Sequence, residues 1–387
     1  MPRVAPQPIV LATSEGFFAS FDEPAGCRTG WVVFHAQRDD RREGIYASTG
    51  GAPIPIAETG SELDDQLTVL HMSRFGRLPT VNDAFTVAFT VQFAEGGGAV
   101  LASRGGVARY DWIASSAEAF RDFGDLAAVN AATHVLFRAT VDPPNHPDRD
   151  DYDPTKLADA GQAEHPETIP PPTRLTCDGR RPEFDAGLFV DRIHDVLEVA
   201  ATSKGVLDVQ DGFAFNDLEL VAYRACLRQT HWSLVAGPIG AATPVAETGD
   251  RFAAFGVPAM DSRGRVAFLA QGAAGDTGIC RSRLGAGLPE VVADSADGFV
   301  AFGPNVGLDD RGRVVFVASR KDGKERLCVA AAKGGAQEVL VAGDLVGRRA
   351  ISHLRLSNRP FVRGDRVALV ARLEPDVEAL ILVDLPH

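Results

Sequence analysis

Apolar residues recur along this chain in short runs with near-alternating polarity, not in helical stripes, and the runs come back as a phrase. Its cleanest copy starts at Arg251-Phe-Ala-Ala-Phe255, passes Asp261-Ser-Arg-Gly264 and reaches Arg265-Val-Ala-Phe268, then continues through Gly278-Ile-Cys280 to Pro289-Glu-Val-Val-Ala293. A second copy runs from Phe299-Val-Ala-Phe302 through Asp310-Arg-Gly-Arg313 and Val314-Val-Phe316 to Glu338-Val-Leu-Val341. Each copy reads as four short strands. An aromatic-rich strand A ends near Pro, a turn carries Asn or Asp with Gly, a β-rich strand B ends in Phe, and two shorter runs form strands C and D.

The strand B anchors are Phe34, Phe89, Phe137, Tyr223, Phe268, Phe316 and Leu369, most of them about 45 to 55 residues apart, the period of a four-stranded propeller blade. The pattern predicts an all-β, seven-bladed β-propeller spanning 1–387 as a single domain. The last copy stops after strand C at Ala379-Leu-Ile-Leu-Val383 and lacks strand D. Pro8-Ile-Val-Leu-Ala12 matches the closing strands of other blades, such as Pro55-Ile-Ala-Glu58 and Pro244-Val-Ala-Glu247. The N-terminal segment is therefore expected to close the ring, which removes an unpaired strand edge.

The turn positions Asn82, Asn130, Asn216, Asp261 and Asp309 or Asp310, with Gly264, Gly312 and Gly364 in later copies, resemble the Asn-x-x-Gly-x-x-x-Ala-Phe-like motif of bacterial tandem-repeat β-propeller proteins. The resemblance covers almost the whole chain, and several copies lose the Gly. It implies a propeller and supplies no settled activity.

Composition changes little in this picture. Hydrophobic residues make up 45% and charged residues 24%, ordinary for a globule with a large core. The net charge of −13 works against binding phosphate backbones, so nucleic acid is not an expected partner. No apolar run approaches the ~20 residues of a membrane helix, and Met-Pro-Arg-Val-Ala-Pro-Gln-Pro8 lacks a signal-peptide core, so the reading is cytoplasmic with no membrane contact. Cys27, Cys177, Cys226, Cys280 and Cys328 have no metal-ligand or redox spacing and read as reduced, buried thiols. No cofactor or metal is called for.

One gap between copies is nearly doubled. Residues 142–183, rich in Pro and charge, interrupt the third copy between strands B and C, and a loop of such length in a compact domain is functional or disordered. Strand direction puts it on the face of the D–A loops, where it could cover the channel mouth as a lid. Asp148, Asp150, Asp151 and Asp153 miss the EF-hand spacing and read as a solvated stretch. His146, His165 and His194 lie in or after this insertion.

Candidate chemistry comes from positions where some copies are polar and others bland. The residue after each strand B anchor reads His35, Thr90, Arg138, Arg224, Leu269, Val317, Val370. The residue before the last anchor of strand A reads Ser20, Arg74, Asp122, Asp208, Ala254, Ala301, His353. Polar groups at such positions cost several kcal/mol unless paired, so inter-blade ion pairs such as Arg74 with Asp122 or Arg138 with Asp208 are one explanation. The other is a site: Asp122, Asp208 and His353 as acid–base groups, with Arg74, Arg138, Arg224 and His35 binding a small anionic or carbonyl-bearing molecule. The expected function is a cofactor-independent lyase, cyclase or hydrolase at the lidded mouth. The alternative is a non-catalytic scaffold for a protein partner.

Overall fold

The computed structural model describes residues 7–65, 68–106, 109–117, 120–141, 185–192, 196–201, 206, 208–228, 231–249, 251–331, 335–362 and 365–386. Their strands form seven antiparallel sheets arranged as the blades of a propeller. The first blade is Phe18–Phe21, Val32–Arg38, Glu43–Ser48 and Ile54–Glu58, from the axis outwards. The only helix among the described residues is a short 3-10 turn at Ser295–Asp297. The insertion, its three histidines and aspartates, and Gly364 lie outside the described residues.

One strand register recurs in all seven blades. The last anchor of strand A pairs with the second residue after the strand B anchor in every blade: Phe21 with Ala36, Phe75 with Val91, Phe123 with Ala139, Val209 with Ala225, Phe255 with Ala270, Phe302 with Ala318 and Leu354 with Ala371. The strand B anchors Phe34, Phe89, Phe137, Phe268, Phe316 and Leu369 are fully buried, each contributing about 1.5–3 kcal/mol by burial. Cys27, Cys280 and Cys328 are buried free thiols. Cys226 is disulfide-bonded, against the expectation of five reduced cysteines.

Ile9–Thr13 completes the last blade, pairing with Val377–Asp384 from Ile9 opposite Leu382 to Thr13 opposite Ala379. Ser14 extends the seam, its amide donating to Glu378 O at 2.8 Å while its Oγ accepts from Glu378 N at 2.9 Å. Glu378 also fastens the last blade to the first by accepting from Phe21 N at 2.9 Å. The same clasp recurs where Glu43 accepts from Phe75 N at 3.2 Å and Glu325 from Leu354 N at 2.8 Å.

The A–B turns share one geometry. The Asn or Asp side-chain oxygen accepts amides two and four residues on, as Asn216 Oδ1 does from Leu218 and Leu220 and Asp309 Oδ1 from Arg311 and Arg313. That assigns the sixth turn position to Asp309. The third residue after it is left-handed, which suits Gly264 and Gly312, yet Phe85, Thr133 and Glu219 hold φ of 58°, 64° and 57° at the same place. Asn turns reach the next blade directly: Asn82 Nδ2 donates to Asn130 O, and Asn216 Nδ2 to Asp261 O. Where Asp261 has no amide to offer, Arg265 donates instead to Asp310 O at 2.8 Å.

Just past its last anchor, strand A leaves the ladder. Register jumps between Phe123 and Ala127 and between Phe302 and Val306, and in other blades strand A splits, as at Phe18–Phe21 and Ala25–Gly26. Such bulges re-aim side chains, and here they fall on the innermost strands of the blades.

Candidate functional site

The second residue after the anchor on each bulge reads Glu23, Arg77, Asp125, Asp211, Val257, Pro304, Leu356. Charge is thus confined to the first four blades. Asp211 is the centre of this half. A Cβ on Gly124 of the preceding blade would stand 2.2 Å from Asp211 Oδ1, so the missing side chain makes the niche in which the carboxyl lies.

Arg138 and Arg224 flank it. Arg138 Nη1 is 3.9 Å from Asp211 Oδ2 while its Nε donates to Val209 O at 2.7 Å. Arg224 donates to Asp211 O at 2.7 Å and to Phe255 O at 3.2 Å, and its buried Nε has no hydrogen-bond partner. The Asp211 side chain keeps 45% of its surface open to solvent, yet desolvation by the surrounding protein moves its pKa upward; the Arg138 and Arg224 charges oppose this, and the Asp125 and Asp208 carboxylates add to it. Burial likewise lowers the Arg224 pKa, against the pull of Asp211. A carboxyl held toward its neutral form between guanidinium groups can both donate a hydrogen bond and exchange a proton.

His35 belongs to a second cluster in the same half. It is 6% exposed, with Nδ1 2.7 Å from Asp22 Oδ2 and Nε2 3.3 Å from Glu43 Oε2, the latter an ion pair without hydrogen-bond alignment. Burial disfavours the imidazolium, but the two carboxylates outweigh it and the His35 pKa is raised. Arg77 closes the cluster on Asp22 at 2.6 Å. It also feels the charge of Asp125, which joins this cluster to Asp211.

The sequence-selected residues divide among separate places. Arg138, Arg224 and Asp208 gather at Asp211, and His35 lies under Asp22. Arg74 and Asp122 are exposed on a cleft of about 410 Å³ between the second and third blades, together with Asp125. His353 is half-exposed between the sixth and seventh blades, its Nδ1 2.7 Å from Glu325 Oε2. Neither Arg74 with Asp122 nor Arg138 with Asp208 forms an ion pair. Asp211, Arg77 and Asp22 were not selected from sequence, because they sit on bulges beyond the anchors from which the copies were aligned. The signal was nonetheless present, in the change from charged to apolar residues along that column.

The A–B turn end of the channel is bridged. Arg28 Nε is 2.7 Å from Asp83 Oδ2 and its Nη2 2.9 Å from Asp217 Oδ2, with Asp310 Oδ2 4.0 Å away. Arg359 donates to Phe215 O at 2.7 Å, and Asn358 Nδ2 to Phe213 O and Pro258 O. Burial lowers the Arg359 pKa to about 10, partly offset by Asp217. Among the described residues no three His, Cys, Asp or Glu gather closely enough to hold a metal ion, and no helix is long and apolar enough to cross a membrane.

No protein-family model and no curated protein matches the chain. Solved structures do. A puromycin-hydrolyzing peptidase of Mycobacterium tuberculosis superposes with a TM-score of 0.57 at 12% identity, over 94% of this chain and 51% of its own. The chain therefore spans about half the length of that peptidase. An oligogalacturonate lyase in complex with manganese matches at 0.58 and 10% identity, over 100% of this chain and 99% of the lyase, and an oligogalacturonate lyase of Vibrio parahaemolyticus at 0.57 and 10%, over 99% of both. At these identities what is shared is the fold, and the chain is similar to propellers of this kind.

Proposed function

We propose that the chain is an enzymatic propeller that binds a small anionic or carbonyl-bearing molecule at the mouth formed by the D–A and B–C loops, and moves a proton with Asp211. Arg138 and Arg224 orient the ligand; desolvation, with the like charges of Asp125 and Asp208, favours the neutral form of Asp211. The observation that carries the reading is the Asp211 carboxyl in its Gly124 niche, 3.9 Å from the Arg138 guanidinium, with Arg224 held on the Asp211 main-chain carbonyl. A carboxyl shifted by desolvation and set beside a specific charge partner is a functional-site candidate. Asp122 and Arg74 line the adjoining cleft and extend the same surface, and His353 stands apart from it as a second acid–base candidate.

A lyase is the favoured reaction class, since the end-to-end likeness is to oligogalacturonate lyase and the likeness to the peptidase ends at half its length. Cytoplasmic location, function without a cofactor and membership of the Asn-x-x-Gly tandem-repeat group complete the reading, the last supported by the shared turn geometry.

Asp211→Asn tests it. A raised pKa means that the carboxyl's contribution to stability is complete below the unfolded value of about 3.9 and is lost as pH rises through the folded value. At pH 7 the Asn variant should then be as stable as the parent or more so, the two converging in acid, while turnover of small carboxylates is abolished. An Asn variant that is markedly less stable at pH 7 and retains all ligand interactions would leave a non-catalytic scaffold, the second reading, in its place.

A further inference from the structure

The channel has two unlike halves. In the first four blades the bulge column and the position after the strand B anchor carry Glu23, Arg77, Asp125 and Asp211 with His35, Thr90, Arg138 and Arg224. In the last three the same positions are Val257, Pro304 and Leu356 with Leu269, Val317 and Val370. The apolar half is not a filled wall. Between the sixth and seventh blades it opens into a cleft of about 290 Å³ whose mostly apolar floor is built on Phe302, Pro304, Val317, Leu354 and Leu356, while the paired His353 and Glu325 and Arg355 stand on its wall. Glu23 of the first blade also lines it and lies within electrostatic reach of Arg77, which connects the cleft to the charged column.

We infer that the ligand is an amphiphilic anion, its carboxylate or carbonyl head held by Arg138 and Arg224 and its apolar tail seated in the cleft between the sixth and seventh blades. The inference rests on the reading of the Asp211 site for the head and names the substrate class. Charge complementarity decides between occupants. A wholly polar molecule would leave the apolar floor of the cleft wetted, a wholly apolar one would strip water from two guanidinium groups without replacing it, and a molecule with one end of each kind satisfies both.

The cleft can be filled without breaking the fold, because the copies show what each position accepts. Ala301 lines the cleft and corresponds in register to Arg74 and His353, so Ala301→Trp enters a place where long side chains already stand. Val317 corresponds to Arg138 and Arg224, which makes Val317→Arg an independent second variant.

The experiment is calorimetric titration of the full chain with straight-chain carboxylates from butyrate to decanoate and with the matching primary alcohols. Affinity for the carboxylates should rise roughly fourfold per methylene, the fold-change for about 0.8 kcal/mol of burial, until the cleft is full. Ala301→Trp and Val317→Arg, each with an unchanged melting temperature, should flatten that slope. Arg138→Met should keep the slope and erase the preference for carboxylate over alcohol. Butyrate and decanoate binding within twofold of each other, a slope unchanged in both cleft variants, or no binding of any member overturns the inference. Equal slopes for acids and alcohols with no carboxylate preference in the parent overturn the head site and leave the cleft standing, so the two failures are distinguishable.

Discussion

Arg28 and Asp217, 189 residues apart in the chain, meet across the A–B turn end of the channel at 2.9 Å. The same guanidinium holds Asp83, and Asp217 uses its other oxygen to accept from Ala131 N at 2.8 Å. One arginine of the first blade thus ties together turns of the second and fourth. Because Arg28 is 56% exposed, solvent screens the pairs, and Arg28→Met should cost about 1 kcal/mol. Lys at this place lacks the planar fork needed to hold two carboxylates, so Arg28→Lys should melt with the Met variant. Melting of Arg28→Lys at the parent temperature would show that charge alone suffices there.

The His35 cluster gives a pH signature. Its folded pKa is raised, so its contribution to stability is complete below the unfolded value of about 6.5 and is lost as pH rises through the folded value. Asp22→Asn should therefore destabilise most between about pH 4 and 6.5, with the gap to the parent closing at higher pH. Imidazole titration followed by NMR should give a midpoint above 6.5; a lower one removes the explanation.

The left-handed turn positions allow a stabilising change. Thr133 sits at φ 64°, a conformation that costs a side-chain-bearing residue about 1–2 kcal/mol. Thr133→Gly relieves this and adds about 0.4–1 kcal/mol of unfolded-state entropy, for a net gain of up to roughly 1 kcal/mol in denaturant unfolding. Gly264→Ala should do the reverse, since its Cβ would also stand 2.7 Å from Leu220 Cδ1. A Thr133→Gly variant less stable than the parent would mean that the threonine side chain matters more than the backbone.

Removing residues 1–14 takes away the strand Ile9–Thr13 and uncovers the edge of Val377–Asp384. Exposed edges of this kind pair with other chains, so the truncated protein should melt lower and aggregate at concentrations where the parent stays monodisperse. Light scattering and calorimetry check both; a truncated chain that melts like the parent would show that the seam contributes little.

Blade number, strand order and closure were legible in the chain because repetition supplies its own alignment, and the anchors Phe21, Phe75, Phe123 and Phe255 keep one register in the structure. The polar columns containing Arg138, Arg224 and Asp208 lie in the half of the channel that also holds Asp211. Asp211 escaped notice because it follows Val209 by two residues on a bulge, where the two-residue alternation that ties position to face no longer holds. The Arg28 bridge was hidden for another reason. Arg28 departs from a column that otherwise reads Asp83, Ala131, Asp217, Ser262 and Asp310, and its partners come from turns that no local pattern brings together.

The seam between Ile9–Thr13 and Val377–Asp384 also changes how the repeats share their stability. An open stack of repeats behaves as a one-dimensional array in which end units fray and polar caps are needed. Here the first and last units are neighbours, fastened again where Ser357 Oγ donates to Pro24 O at 2.6 Å and Glu378 accepts from Phe21 N. No blade is terminal, so fraying has nowhere to begin, and the loss of any one blade costs two interfaces at once. The array becomes a single cooperative unit, one whose folding must wait for contacts between opposite ends of the chain.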